Sequence, residues 1–201
     1  MIAIIDYGAG NIRSVEHALE HLGIEYKITG DADEILRADR VILPGVGAFG
    51  SAMKKLSLSG LIPCIREVVK QGIPLLGICL GLQLLFEESE EAPGVAGLAI
   101  LKGKIHRFPQ SRDYKVPHVG WNSVELVGDG FLFEGFQDKV YQYFVHSYYL
   151  VAEDRNIVKG TAEYGVRIDA TIQWKNVYGC QFHPEKSGQD GLLILRNFCG
   201  K

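Results

Sequence analysis

The 201-residue sequence has only four cysteines, Cys64, Cys79, Cys180 and Cys199, and no two of them form a C-x-x-C pair. Zinc ribbons and thioredoxin-type redox motifs, which need that spacing, are excluded. No apolar run approaches the ~18 residues of a membrane-spanning helix. The opening Met1-Ile2-Ala3-Ile4-Ile5-Asp6 lacks the basic start and small-residue cleavage site of an export signal. A cytoplasmic protein with free thiols is expected. There is no surplus of positive charge: 21 Lys and Arg against 24 Asp and Glu give a net charge of −3. That leaves no electrostatic footprint for nucleic acid or an anionic membrane. No glycine loop continues into Gly-Lys-Ser/Thr, and Gly8-Ala9-Gly10 runs on to Arg13 where a dinucleotide fingerprint needs glycine. His17-Ala18-Leu19-Glu20-His21 does spell the H-x-x-E-H pattern of some zinc peptidases. However, His17, Glu20 and His21 lie off the apolar stripe of their helix and read as a solvated face. No metal and no cofactor is expected.

What is present is a chain long enough for one good-sized domain, residues 1–201. In the first half, apolar strands (2–6, 26–28, 40–43, 73–78) alternate with helices. One helix carries Ile12, Val15, Leu19 and Leu22 on a single face. Another spans 61–71, and a third is expected over 80–88. This alternation predicts an α/β fold with a mainly parallel central sheet flanked by helices. From about residue 98 to 182 the segments become short and rich in β-branched and aromatic residues, as in 121–127, 140–145 and 177–182. The C-terminal half is therefore β-rich, closed by a helix near 191–197.

Gly77-Ile78-Cys79-Leu80-Gly81 falls where a strand must turn sharply into a helix, with the G-x-nucleophile-x-G spacing. Such a turn lifts the sulfur above the strand ends at a helix N-terminus, where partial positive charge favours thiolate. Taken alone, the pentapeptide also fits a glycine-flanked core cysteine. Gln181-Phe182-His183-Pro184-Glu185 follows a strand. Pro184 favours an extended conformation at His183, so His183 and Glu185 project to one side and can meet. An imidazole oriented by a carboxylate is the base that a cysteine nucleophile needs. Pro44-Gly45-Val46-Gly47 fits either an ordinary turn or a loop whose N–H groups, with that of Leu80, form an oxyanion hole. Gln83 lies one helical turn beyond Cys79 and fits a substrate-binding amide or a plain helix residue equally well.

With the further segments Ile5-Asp6-Tyr7-Gly8-Ala9-Gly10-Asn11, Pro117-His118-Val119-Gly120-Trp121-Asn122 and Phe144-Val145-His146-Ser147-Tyr148-Tyr149, the whole chain resembles the class I (triad) glutamine amidotransferases. The Gly-Trp-Asn and His-Ser-Tyr segments and the opening strand and turn are most similar to the glutaminase subunits of imidazole glycerol phosphate synthase. Val119, where that family often has Met, is the one departure. The resemblance implies the flavodoxin-like architecture of the class. It implies Cys79 as nucleophile, His183 as proton carrier and Glu185 as its orienter, with Gly47 and Leu80 as oxyanion donors. Gly45, Val46, Gln83, Glu91, Ser147 and Tyr148 would hold glutamine. It also implies a heterodimeric partner, a (β/α)8-barrel cyclase subunit that receives the ammonia, with Asn11, Trp121 and Tyr143 at the interface. Tyr143 fits core packing nearly as well. The same chemistry is compatible with a different synthase partner, a peptidase or γ-glutamyl hydrolase, or a non-catalytic binding protein on this fold.

Overall fold

Buried, largely apolar tetrapeptides make the strands at 2–5, 40–43 and 75–78, and the more exposed segment 26–29 forms a sheet edge. The computed structural model describes residues 1–200. Its first half runs β1 (Ile2–Ile5), α1 (Ile12–His21), β2 (Tyr26–Thr29), α2 (Ala32–Leu36), β3 (Arg40–Leu43), α3 (Phe49–Ser59), α4 (Ile62–Lys70), β4 (Leu75–Ile78) and α5 (Leu80–Leu84). The second half runs β5 (Glu88–Ser89), β6 (Gly103–Arg107), β7 (His118–Leu126), β8 (Lys139–His146), β9 (Tyr148–Ala152), β10 (Val158–Glu163), β11 (Arg167–Trp174), β12 (Val177–Cys180) and α6 (Gly188–Cys199).

A nine-stranded sheet has the order β2-β1-β3-β4-β12-β11-β10-β7-β8, and a smaller sheet has the order β5-β6-β9. Strands β2 through β12 in that order pair in parallel, and the remainder are antiparallel. Apart from the edge strand β2, the parallel strands bury both faces, so their alternation divides residues between two cores rather than between core and water. Ala3, Ile5, Val41 and Leu43 join one cluster, with α3 and α4 residues such as Phe49, Leu56, Ile65 and Val68. Ile2, Ile4, Ile42, Leu76 and Ile78 join the other, with Val15 and Leu19 of α1 and Ile194, Leu195 and Phe198 of α6. Each fully buried Leu, Ile or Phe contributes about 1.5–3 kcal/mol.

The mainly parallel half and the β-rich remainder match the expectation, and of three local differences two have an identifiable tertiary cause. The helix expected over 80–88 stops at Leu84. The carbonyls that would continue it are taken by chain returning from 97–101: Leu98 N–H donates to Leu84, Ile100 and Leu101 to Leu85, and Ala99 to Phe86. Helix α3 was not expected, because its N-terminus is served from a distance. Ala48 caps nothing with its side chain, and the Glu91 carboxylate accepts the Phe49 N–H at 2.8 Å instead. Helix α2 was also missed, although Asp31 accepts the N–H groups of Asp33 and Glu34 as a local cap.

The site end of the sheet depends on two glycines. A Cβ on Gly77 would lie 2.7 Å from the Gly81 carbonyl oxygen, and one on Gly81 would overlap the Leu43 carbonyl oxygen of β3. The turn between β4 and α5 therefore packs backbone against backbone. Gly81→Ala is expected to lower the unfolding free energy by about 1–3 kcal/mol or more, as for other overpacked interiors. The urea midpoint of the full-length chain, compared with wild type, measures this.

Candidate active site

Strands β3, β4 and β12 are neighbours and point the same way, so their C-terminal ends open onto one place, the usual position of a site in an open α/β sheet. The β4–β12 register pairs Ile78 with Cys180, and the Cys79 N–H donates to the Cys180 carbonyl at 2.8 Å. Cys79 is then forced to φ 53°, ψ −109° before α5 begins at Leu80. A non-glycine residue held at positive φ costs about 1–3 kcal/mol. Here it raises the sulfur above the strand ends. The N–H groups of the first turn of α5, beginning at Leu80, have no partner within the helix.

Past Cys180, β12 gives way to Gln181 and Phe182, and His183 is the last extended residue, at φ −104°, ψ 93°. The chain does not stay extended to Glu185 as expected. Pro184–Lys186 forms a single 3₁₀ turn, and this turn swings the Glu185 carboxylate back to His183 Nδ1 at 2.7 Å. The Glu185 side chain is 1% exposed, and its second oxygen is buried without a hydrogen bond, so its charge is directed at the imidazole. Two contacts hold His183 in place: its N–H donates to the Tyr143 carbonyl at 2.9 Å, and the Ser187 hydroxyl donates to the His183 carbonyl at 2.6 Å. Burial by itself lowers the His183 pKa. Hydrogen bonds to the Cys79 sulfur and the Glu185 carboxylate, with the charges of both, outweigh it and raise the pKa to about 10. An imidazolium is therefore stable between those two groups at neutral pH.

Cys79 and His183 line a cavity of about 320 Å³ together with Val46, Gly47, Leu80, Gln83, Glu91 and the 145–148 segment. That is the lower end of the size range of small-molecule sites. Behind it runs a buried polar chain. His146 Nδ1 meets the Tyr148 carbonyl at 2.8 Å, and its Nε2 meets His118 Nδ1 at 3.0 Å. Both imidazoles are neutral, since burial lowers the pKa of His118 to about 4 and of His146 to about 3.

A model of the class-I glutamine amidotransferase family matches residues 3–201. The imidazole glycerol phosphate synthase subunit HisH of Moorella thermoacetica is 53% identical over 197 residues, covering 98% of this chain and 93% of that protein. The subunit of the same name from Bacillus cereus is 52% identical over 200 residues, covering 100% and 94%. The chain belongs to the class-I glutamine amidotransferases, among the HisH subunits. The solved structure of PurLQS from Thermotoga maritima shares the fold, with a TM-score of 0.77 at 22% identity and coverage of 99% and 97%.

In this amidotransferase, Cys79, His183, Gly47, Leu80, Val46, Gln83, Glu91, Ser147 and Tyr148 all border the one cavity, and Glu185 stands behind His183. Gly45 does not line the cavity. It is buried, and a Cβ there would lie 2.6 Å from the Gly81 N. Trp121 and Tyr143 pair across β7 and β8 with ring centroids 6.2 Å apart, and Trp121 is 59% exposed. Asn11 stands just before α1, where its Nδ2 donates to Ser14 Oγ. His17, Glu20 and His21 are exposed on α1. The sequence reading gave no role to Gln181, His146 or Lys186, although the first reaches the Cys79 sulfur at 3.7 Å and the other two line the cavity. All three stand inside segments already singled out, Gln181-Phe182-His183-Pro184-Glu185-Lys186-Ser187 and His146-Ser147-Tyr148. Proximity to a candidate residue was the signal available.

The buried imidazoles set a pH dependence. Below about 6.5 the unfolded chain protonates both His118 and His146, while the folded chain resists until about 4 and 3. Folding stability therefore falls as the pH drops from 6.5 toward 3. His183 acts in the opposite sense: its contribution is complete below 6.5 and is lost as the pH rises through about 10. Urea midpoints across the acid range should fall steadily, and His146→Gln, which keeps a donor toward Tyr148, should flatten that fall.

Proposed function

We propose that this chain, working as one domain in the cytoplasm, hydrolyses glutamine to glutamate and ammonia. The ammonia then passes to a (β/α)8-barrel cyclase subunit that makes imidazole glycerol phosphate and aminoimidazole carboxamide ribotide in histidine biosynthesis. The observation that carries the reading is the juxtaposition, at adjacent strand ends, of Cys79 on its strained turn with the His183–Glu185 pair.

The Cys79 sulfur attacks the side-chain amide carbon of glutamine, and its proton passes to His183. The oxyanion that forms is held by N–H groups of Leu80 and Gly47. His183 gives its proton to the departing nitrogen, ammonia leaves, and a glutamyl thioester remains. Water, deprotonated by the same imidazole, then adds to the thioester carbonyl. The carbon–sulfur bond breaks, its electron pair returns to sulfur, and glutamate is released. Glu185 keeps His183 in the orientation that serves both steps. Gln83, Ser147, Tyr148 and the Glu91 carboxylate grip the amino-acid end of the substrate, with the Val46 backbone beneath it.

A partner is needed because ammonia released into water is protonated and lost as a nucleophile. The edge of the large sheet supports a docking face there. Val119 and Trp121 of β7 and Tyr141 and Val145 of β8 stand exposed on one side, and β7 residues pair directly with β8 residues. The same β8 backbone meets Cys79 through the Val145 carbonyl, and His183 through that of Tyr143. Ammonia formed there is released beside the docking face. Asn11 would flank it at the start of α1.

The test is a glutaminase assay of the complex with its cyclase subunit. Cys79→Ala should abolish glutamate release, His183→Ala should cost ~10²–10⁴-fold, and Glu185→Ala should cost less than His183→Ala. Synthesis from added ammonia should survive all three. Equal loss with ammonia as donor would refute the division of labour. Trp121→Ala should weaken association with the cyclase by about 2 kcal/mol or more, as a central aromatic anchor does. Titration calorimetry reads that directly, and unchanged affinity would move the docking face elsewhere.

A further inference from the structure

We infer that Gln181 is a catalytic residue of this site, an amide donor fixed on the Cys79 sulfur that stabilises its negative charge; this rests on the glutaminase reading above. Gln181 is fully buried, and its Nε2 donates to Cys79 Sγ at 3.7 Å, within the longer reach of a sulfur acceptor. Its orientation is determined by its neighbours. Gln83 Nε2 donates to Gln181 Oε1 at 2.9 Å and to the Tyr148 carbonyl at 3.0 Å. Turning the Gln83 amide over would set its oxygen against the Tyr148 backbone carbonyl oxygen, which cannot donate, so Gln83 must present its nitrogen. Gln181 must then present its oxygen to Gln83 and its nitrogen to the sulfur. The Gln181 N–H is itself anchored on the Ala170 carbonyl at 2.8 Å. A buried amide with both ends committed does not reorient as the reaction proceeds.

The sulfur carries negative charge at two points: before attack, when its proton is on His183, and when the thioester breaks and the electron pair of the carbon–sulfur bond returns to it. A fixed N–H aimed at that atom in a water-poor pocket is the arrangement that stabilises developing charge. The Val145 carbonyl, 3.8 Å from the same sulfur, can only accept a hydrogen bond and gives the anion no support. Gln83 is thereby committed to two roles, lining the cavity and setting the direction of the Gln181 amide.

Two substitutions separate a donor to sulfur from a mere prop for Gln83. Gln181→Met removes the donor to sulfur and the acceptor for Gln83 at similar size, while the Tyr148 carbonyl still holds the Gln83 amide in place. Gln181→Glu keeps the oxygen that Gln83 needs, but offers the sulfur a proton only while its buried carboxyl is protonated. In the complex with the cyclase, Gln181→Met should lower kcat for glutamine about 10- to 100-fold, the effect of losing one hydrogen bond to a charged atom. KM should change little. Gln181→Glu should be the more impaired of the two at alkaline pH, and should recover relative to wild type as the pH is lowered. Ammonia-dependent synthesis reports that each variant is folded and docked. If Gln181→Glu equals or exceeds Gln181→Met at alkaline pH, or if only KM rises, the donor role is overturned and the prop role stands. If wild type itself releases no glutamate, the glutaminase reading fails instead. A variant that loses ammonia-dependent synthesis also counts against the inference, since it assigns Gln181 no part in folding.

Discussion

The site depends on the pairing of two parallel strands, β4 and β12. That ladder brings together two stretches of chain a hundred residues apart and sets Cys79 beside the segment carrying Gln181 and His183. A proton shared between sulfur and imidazole needs the two atoms within hydrogen-bond reach, and a one-residue slip would turn the side chains to opposite faces. Both strands are interior to the sheet and buried on both faces, so their register is strongly specified. The reactive centre is mounted on one of the least deformable parts of the molecule.

Around that pair, opposing electrostatic environments sort three imidazoles into two roles. His183 gains a proton because a carboxylate and a sulfur face it, and these outweigh its burial. His118 and His146 lose theirs because burial removes the water that would stabilise their charge, and no carboxylate faces them to offset it. The neutral pair holds the Tyr148 carbonyl from one side and Gln83 holds it from the other. The wall of the cavity is thus fixed by uncharged hydrogen bonds, while the charge is confined to the reacting end. One low-dielectric pocket supports both arrangements because the Gln83 amide, the Gln181 amide and the His118–His146 pair around it all have hydrogen-bond partners.

Strand β8 connects the centre to the outside. Its backbone touches Cys79 and His183, while alternate side chains, Tyr141 and Val145, face outward beside Val119 and Trp121. A subunit bound on that face would be in contact with the strand that braces the nucleophile and its base. The described residues contain no helix long and apolar enough to cross a membrane.

Much of this was legible before any coordinates. Strands β1, β3 and β4 are largely apolar tetrapeptides whose neighbours are helices with one buried stripe, and local periodicity reports that directly. The two glycines around Cys79 announced a turn that no side chain could enter, and motif spacing placed Cys79, His183 and Glu185 in one family's pattern. What only the tertiary structure decided depends on contacts between residues far apart in the chain. Helix α3 begins where it does because Glu91 caps it from 42 residues downstream. Helix α5 ends at Leu84 because returning chain takes its carbonyls. Glu185 reaches His183 through a 3₁₀ turn rather than along a strand. The direction of the Gln181 amide could not be read from its own segment, because it is set by Gln83 and Tyr148. Periodicity and propensity act over a few residues, whereas the direction of a buried hydrogen bond is settled by whichever distant atom the fold brings opposite it.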